Sequence, residues 1–86
     1  MDSYGSELLL IQQAFSGSAE QAAVRGEGLS RFVYASNLNR AVEVSRSGPA
    51  IWVEFWANES VESERAFPSI PTALEAANTW LNSAAP

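Results

Sequence analysis

Residues Ala50–Ala57 read Ala-Ile-Trp-Val-Glu-Phe-Trp-Ala, the run richest in β-branched and aromatic residues in the sequence. Gly48-Pro49 stands before it and polar residues follow it, and such turn-forming residues are typical of the ends of a strand. Side chains alternate along a strand, so its two faces differ in character. One face carries Ile51, Val53 and Phe55, and the other carries Trp52, Glu54 and Trp56.

A turn of even length near Gly48 would pair this strand with a preceding one, which is predicted over Arg40–Arg46. Alternation then gives the pair one wholly apolar face, whatever the exact register. That face carries Val42, Val44, Ile51 and Val53. The opposite face carries Glu43, Trp52, Glu54 and Trp56.

A further strand is predicted over Leu29–Ser36 and is joined to the next one through Asn37-Leu38-Asn39. A three-residue loop would place Phe32 and Tyr34 on the apolar face, whereas a two-residue turn would place Val33 there. The three-residue loop is preferred because it buries the larger side chains.

The first helix is predicted over Ser3–Phe15 because apolar residues recur there at helical spacing. Its stripe is Leu8, Ile11 and Phe15, widened by Leu9, Leu10 and Ala14. A short buried strand at Leu8–Gln12 stays open, since four consecutive apolar residues do not decide between the two structures.

The last helix has the clearest pattern in the sequence. Ser69 is its predicted N-cap, and Pro71 is tolerated in its first turn. An amphipathic helix next to an apolar sheet face must lie on that face. The stripe that it would bury is Ile70, Ala73, Leu74, Ala77, Trp80 and Leu81.

Two further segments have a less distinct secondary-structure pattern. Ser18–Arg25 fits a helix opened by a capping box or a peripheral strand. Asn58–Glu64 is predicted as an acidic loop, with Arg65-Ala66-Phe67 as a short edge strand. The predicted fold class is α+β: a three- to four-stranded antiparallel meander with an N-terminal and a C-terminal helix packed on one sheet face, forming one domain over residues 1–86.

Composition excludes several kinds of chemistry. The ten acidic residues outnumber the five basic ones, all scattered arginines, so neither nucleic acid nor an anionic membrane is an expected partner. Histidine and cysteine are absent, which removes the most common general base and any thiolate ligand or nucleophile. We expect no enzyme, cofactor or metal site. A cytoplasmic location is expected because no apolar run matches a signal peptide or a membrane span.

The face that carries the two tryptophans is the candidate docking site. Aromatic anchors favour desolvation at an interface, and carboxylates select a basic partner. The predicted partner-binding residues are Trp52, Trp56, Glu54, Glu43 and Arg31. Three structural alternatives would cover this face instead. The first helix could lie on it, Ser18–Arg25 could fold over it, or a second copy could bury it in a homodimer.

The leading hypothesis is therefore a non-enzymatic protein-binding accessory or regulatory module. A second hypothesis is a small acidic inhibitor from a phage or mobile element, with Glu59, Glu62 and Glu64 standing in for phosphates. A third is a carbohydrate or small-ligand platform built on the tryptophans. The same three glutamates could bind calcium weakly, but a solvated acidic loop fits their spacing better.

Overall fold

The computed structural model describes residues 3–84. They form two helices and one five-stranded antiparallel sheet in the order β1-β2-β3-β4-β5. The elements are α1 (Ser3–Ala14), β1 (Gln21–Arg25), a turn of 3-10 helix (Gly28–Ser30), β2 (Phe32–Asn37), β3 (Arg40–Ser47), β4 (Ala50–Ala57), β5 (Ser60–Phe67) and α2 (Ile70–Asn82). The predicted fold class is confirmed, with five strands in place of three or four.

Both helices pack on the same face of the sheet, and one core lies between them and the strands. Val44 pairs with Val33 on one side and with Val53 on the other, so the three side chains share this face. The predicted apolar face is confirmed. The core comprises Leu8, Ile11, Phe15, Val33, Ala35, Val42, Val44, Ile51, Val53, Phe55, Phe67, Ala73, Ala77 and Leu81.

Two-residue turns join the last four strands. Gly48 opens the β3–β4 turn with a φ of 59°, and Pro49 completes it. Asn58 and Glu59 both have positive φ in the β4–β5 turn, as a type I′ hairpin requires. Such turns match the natural twist of paired strands and therefore fix the register.

The β2–β3 connection corrects the predicted three-residue loop. Asn37 pairs with Arg40, which leaves a two-residue turn in which Leu38 has a φ of 55°. The turn reverses the predicted facing of β2: Val33 enters the core, and Tyr34 points to the opposite face. The preference for burying the largest side chains was wrong. The number of residues in the turn, and not side-chain size, decides which residues of β2 face the core.

Three other predictions change. The segment Ser18–Arg25 contains β1, which is the strand alternative. The predicted loop Asn58–Glu64 is largely the start of β5, an eight-residue edge strand. Leu9 and Leu10 are exposed and do not widen the buried face of α1, which is confirmed as a helix.

The last helix begins as predicted. Ser69 accepts a hydrogen bond from the backbone N–H of Thr72, and Pro71 lies in the first turn. At the other end, Asn37 and Arg40 donate to the carbonyls of Leu81 and Trp80, at 3.1 and 3.4 Å. These carbonyls also accept backbone hydrogen bonds from Ala84 and Ser83, so the side chains add second bonds to the last turn and tie α2 to the β2–β3 hairpin. Within the described residues, no helix has the length and apolar character needed to span a membrane.

Leu8→Ala should lower the free energy of unfolding by about 2–5 kcal/mol, because Leu8 is fully buried and its loss leaves a cavity. Leu10→Ala, on the same helix at 66% exposure, is the matched control and should change it by less than about 0.5 kcal/mol. Urea denaturation measures both. Equal effects would contradict the described packing of α1.

Candidate functional site

The sheet face opposite the helices is called the outer face. No helix covers it within residues 3–84, because α1 and α2 share the other side. Two of the predicted alternatives, coverage by α1 or by Ser18–Arg25, are therefore wrong: the second segment extends the sheet as β1. The paired strands carry Tyr34, Glu43, Glu54 and Glu64 across the middle of the outer face, with Ser45, Trp52 and Ala66 on one side and Ala41, Trp56 and Val61 on the other.

The four predicted sheet residues of the site are brought together. Glu43 pairs directly with Glu54 across β3 and β4, and the two tryptophans stand on either side of Glu54. Trp52 and Trp56 are each partly exposed. Each tryptophan borders a depression on the outer face, of about 200 Å³ beside Trp52 and about 640 Å³ beside Trp56.

Exposed aliphatic side chains extend both depressions. Leu29 is 90% exposed and lines the depression of Trp52. Leu38, 55% exposed, lines that of Trp56, and Val61 pairs with Trp56 from the edge strand. Apolar side chains gathered on one uncovered face are typical of protein interfaces.

Leu38 also has a backbone conformation that is unusual for leucine. A positive φ of 55° suits glycine or asparagine, and a leucine there is strained by roughly 1–2 kcal/mol. Its side chain is exposed, so burial does not offset that strain. Strained residues of this kind cluster at functional sites.

The loop that carries Leu29 is held in a defined shape. Tyr4 of α1 donates to the carbonyl of Arg31 at 2.6 Å, and the Arg31 Nε donates to the carbonyl of Gly28 at 2.7 Å. Gly26 has a φ of 89°, and a Cβ there would lie 2.9 Å from the Ser30 carbonyl oxygen. Leu29 therefore lies on a turn whose conformation is fixed by hydrogen bonds.

Three glutamates stand in register across the sheet, since Glu54 pairs with Glu43 on β3 and with Glu64 on β5. Like charges directly opposite each other destabilise a sheet. Burial raises the pKa of Glu43, and repulsion by Glu54 adds to the shift, while Arg25 opposes it. The Arg25 guanidinium lies 4.0 Å from the centre of the Tyr34 ring. Glu43 is thus in an unfavourable position for a charged carboxylate, through burial and through the neighbouring Glu54.

The predicted arginine of the site holds a different position from the sheet residues. Arg31 borders the depression of Trp52, but its described contacts are with Gly28 and with the Tyr4 ring, 5.7 Å away. Arg46 of β3 forms an ion pair with Glu7 of α1 at 2.8 Å, and this hydrogen bond holds the pKa of Glu7 below its ordinary value.

Two of the three indoles differ in their hydrogen bonding. Trp80, predicted as core, is partly buried and donates from its ring nitrogen to the carbonyl of Trp56 at 2.9 Å. The ring nitrogen of Trp56 is buried and has no hydrogen-bond partner among the described residues. A buried donor without a partner destabilises a fold.

Sequence reasoning missed Leu29, Leu38, Glu64 and Arg25 as parts of the outer face. Glu64 was placed in a loop and Leu29 in a strand, so neither could be assigned a face. The positive φ of Leu38 had no signal, because asparagine and not leucine is the residue that tolerates this conformation.

No group of three or more potential metal ligands occurs in the part of the chain that the structure describes. Comparison with family models, with curated proteins and with solved structures gives no match to this chain. The site is therefore interpreted from its own geometry.

Leu38→Asn should raise the free energy of unfolding by about 1 kcal/mol, because asparagine tolerates the left-handed conformation better than leucine does. Leu29→Asn, at an exposed position without positive φ, is the control and should give no such gain. Urea denaturation of the two variants checks this. A loss of stability in Leu38→Asn would show that Leu38 makes a stabilising contact.

Glu43→Gln should stabilise the protein at pH 7 by roughly 0.2–1 kcal/mol, the range for an unfavourable cross-strand pair. The raised pKa means that the folded state binds the proton more readily than the unfolded chain does. The advantage of glutamine is therefore full above the folded pKa and disappears as the pH falls to 4.5, the ordinary value, and below.

Denaturation curves from pH 3 to 8 measure this difference. Glu20→Gln, at an exposed glutamate outside the row, is the control and should show no comparable gain. A pH-independent effect of Glu43→Gln would contradict the electrostatic explanation.

Proposed function

We propose that this chain is a non-enzymatic protein-binding module, acting as an accessory or regulatory subunit, and that its outer face docks a basic partner. The observation that carries the proposal is the gathering of the exposed leucines Leu29 and Leu38 around the two tryptophans, on a sheet face that neither helix covers. A cytoplasmic location is part of the proposal, and the absence of cysteine is compatible with a reducing compartment.

The apolar groups supply the contact area of the proposed interface. Trp52 with Leu29 forms one contact region and Trp56 with Leu38 forms the other. Large aromatic side chains in partly desolvated depressions are the usual anchors of protein interfaces. Leu38 supports this assignment because its side chain is 55% exposed and lines the depression beside Trp56.

The carboxylates supply the selectivity. Glu43, Glu54 and Glu64 lie between the two contact regions and repel one another. A lysine or arginine side chain of a partner would relieve that repulsion and could lie over an indole ring, where a cation–π contact adds about 0.5–1 kcal/mol at an exposed site. A basic partner is therefore favoured over an acidic one.

The acidic-inhibitor hypothesis gains one supporting observation, the in-register row of carboxylates, but it gives the leucines and tryptophans no role. The two hypotheses differ in salt dependence. Binding that depends only on charge collapses in moderate salt, whereas burial of apolar surface persists. The carbohydrate hypothesis is supported only by the partly exposed indole rings.

A hexa-arginine peptide is a suitable probe of the outer face. Its titration should perturb the backbone amide signals of β3 and β4 around Glu43, Glu54 and Trp52, and a hexaglutamate peptide should not. Trp52→Ala should keep the amide spectrum of a folded protein and weaken binding about fivefold, the equivalent of about 1 kcal/mol.

Leu10→Ala, on the helical side of the molecule, is the matched control for that experiment and should bind the peptide as the wild type does. Signal changes confined to the helical side would overturn the proposal. Binding equal in wild type and Trp52→Ala that disappears in moderate salt would favour the acidic-inhibitor hypothesis instead.

A further inference from the structure

A second surface lies on the helical side of the molecule, between α2 and the edge strand β5. It is an open groove of about 570 Å³, which falls within the usual size of a binding pocket. Its floor is aromatic: Phe55 makes edge-to-face contacts with Phe67 and Trp80, with ring centres 6.4 and 5.6 Å apart. Its rim includes Thr72, Glu75 and Thr79 of α2 and Ser63 and Arg65 of β5.

The strand beside this groove is open to solvent. Seven of the eight residues of β5 are exposed, and β5 ends the sheet. An edge strand presents unpaired backbone N–H and C=O groups along its free side. The other edge of the sheet differs, because α1 contacts β1 there and Gln12 donates to the carbonyl of Ala22 at 2.9 Å.

From this arrangement we infer that β5 accepts an extended peptide segment of a partner as a sixth strand, with an apolar side chain in the α2–β5 groove. Strand addition of this kind uses backbone hydrogen bonds for affinity and pockets for alternate side chains for specificity. The inferred site shares Glu64 with the outer face. It uses neither the tryptophans nor the exposed leucines of that face, so each site is tested separately.

Charge defines the sequence of that peptide. Side chains of an added strand alternate between the groove and the outer face, where Glu64 ends the row of glutamates at this edge. A residue that neighbours Glu64 on the outer face would therefore favour lysine or arginine. The inferred ligand has apolar residues alternating with basic ones.

The same charges disfavour a second copy of this chain at this edge. Pairing β5 with β5 would bring Glu62 and Glu64 of each copy close to those of the other. Acidic residues on an edge strand are a common protection against such pairing. A partner of opposite charge is free of this penalty.

A capped hexapeptide of alternating lysine and leucine is the probe. Added to the full chain, it should perturb the amide signals of β5 and α2 and slow hydrogen exchange along β5. A hexapeptide of alternating glutamate and leucine should bind at least tenfold more weakly. The lysine peptide with N-methyl groups on alternate residues keeps the side chains but loses donors, and it should also bind at least tenfold more weakly.

Two variants locate the site. Thr79→Phe fills the groove from an exposed helix position and should weaken binding at least tenfold, whereas Asn82→Phe, exposed on the same helix but outside the groove lining, should change it less than twofold. Glu64→Lys should reverse the preference toward the glutamate peptide. The amide perturbations should be largest on β5 and α2 and not around Trp52, which separates this site from the outer face.

Equal binding of the N-methylated peptide would overturn strand addition. Binding that Thr79→Phe leaves unchanged would overturn the groove. Perturbations on the outer face alone would assign the peptide to that surface instead. Concentration-dependent dimers of the free protein that Glu64→Lys strengthens would show that a second copy, and not a peptide, occupies β5.

Discussion

This structure depends on whether each of its hairpin turns contains an even or an odd number of residues. Strand side chains alternate between two faces, so each two-residue turn fixes which residues of both flanking strands enter the core. The first two of the three turns place Val33, Val44 and Val53 side by side under the helices. They also send Tyr34, Glu43, Trp52 and Glu54 to the outer face, and a register shift between Phe55 and Trp56 brings Glu64 there from β5. A one-residue change in any turn would exchange the core face and the outer face of the strand that follows.

That constraint also explains what the sequence predicted correctly. The facing of β3 and β4 was predicted because Gly48-Pro49 marks a turn and apolar residues alternate on both sides of it. The facing of β2 was predicted wrongly because it depended on a loop length. Nothing in Asn37-Leu38-Asn39 requires a leucine to take a positive φ, and only the pairing of Asn37 with Arg40 shows that it does.

The other differences arise because tertiary pairing overrides local pattern. β5 is rich in glutamate, which disfavours strands, yet seven of its eight residues pair with the apolar β4. β1 is likewise decided by its pairing with β2. The candidate site was therefore predictable where it lies on β3 and β4. It was missed where β5 and the loops before β2 and β3 complete it, because long-range pairing brings those segments to the same face.

The features that stability alone does not explain lie together. Among the described residues the core contains no buried polar or charged residue, and both ends of α2 are capped. The outer face instead holds a strained leucine, a row of repelling carboxylates and an indole nitrogen without a partner. Local departures from otherwise consistent folding rules concentrate at functional sites. These features all lie on the outer face, whereas the core follows the ordinary packing rules. That contrast is an argument for docking at the outer face, and it does not depend on any one of these residues.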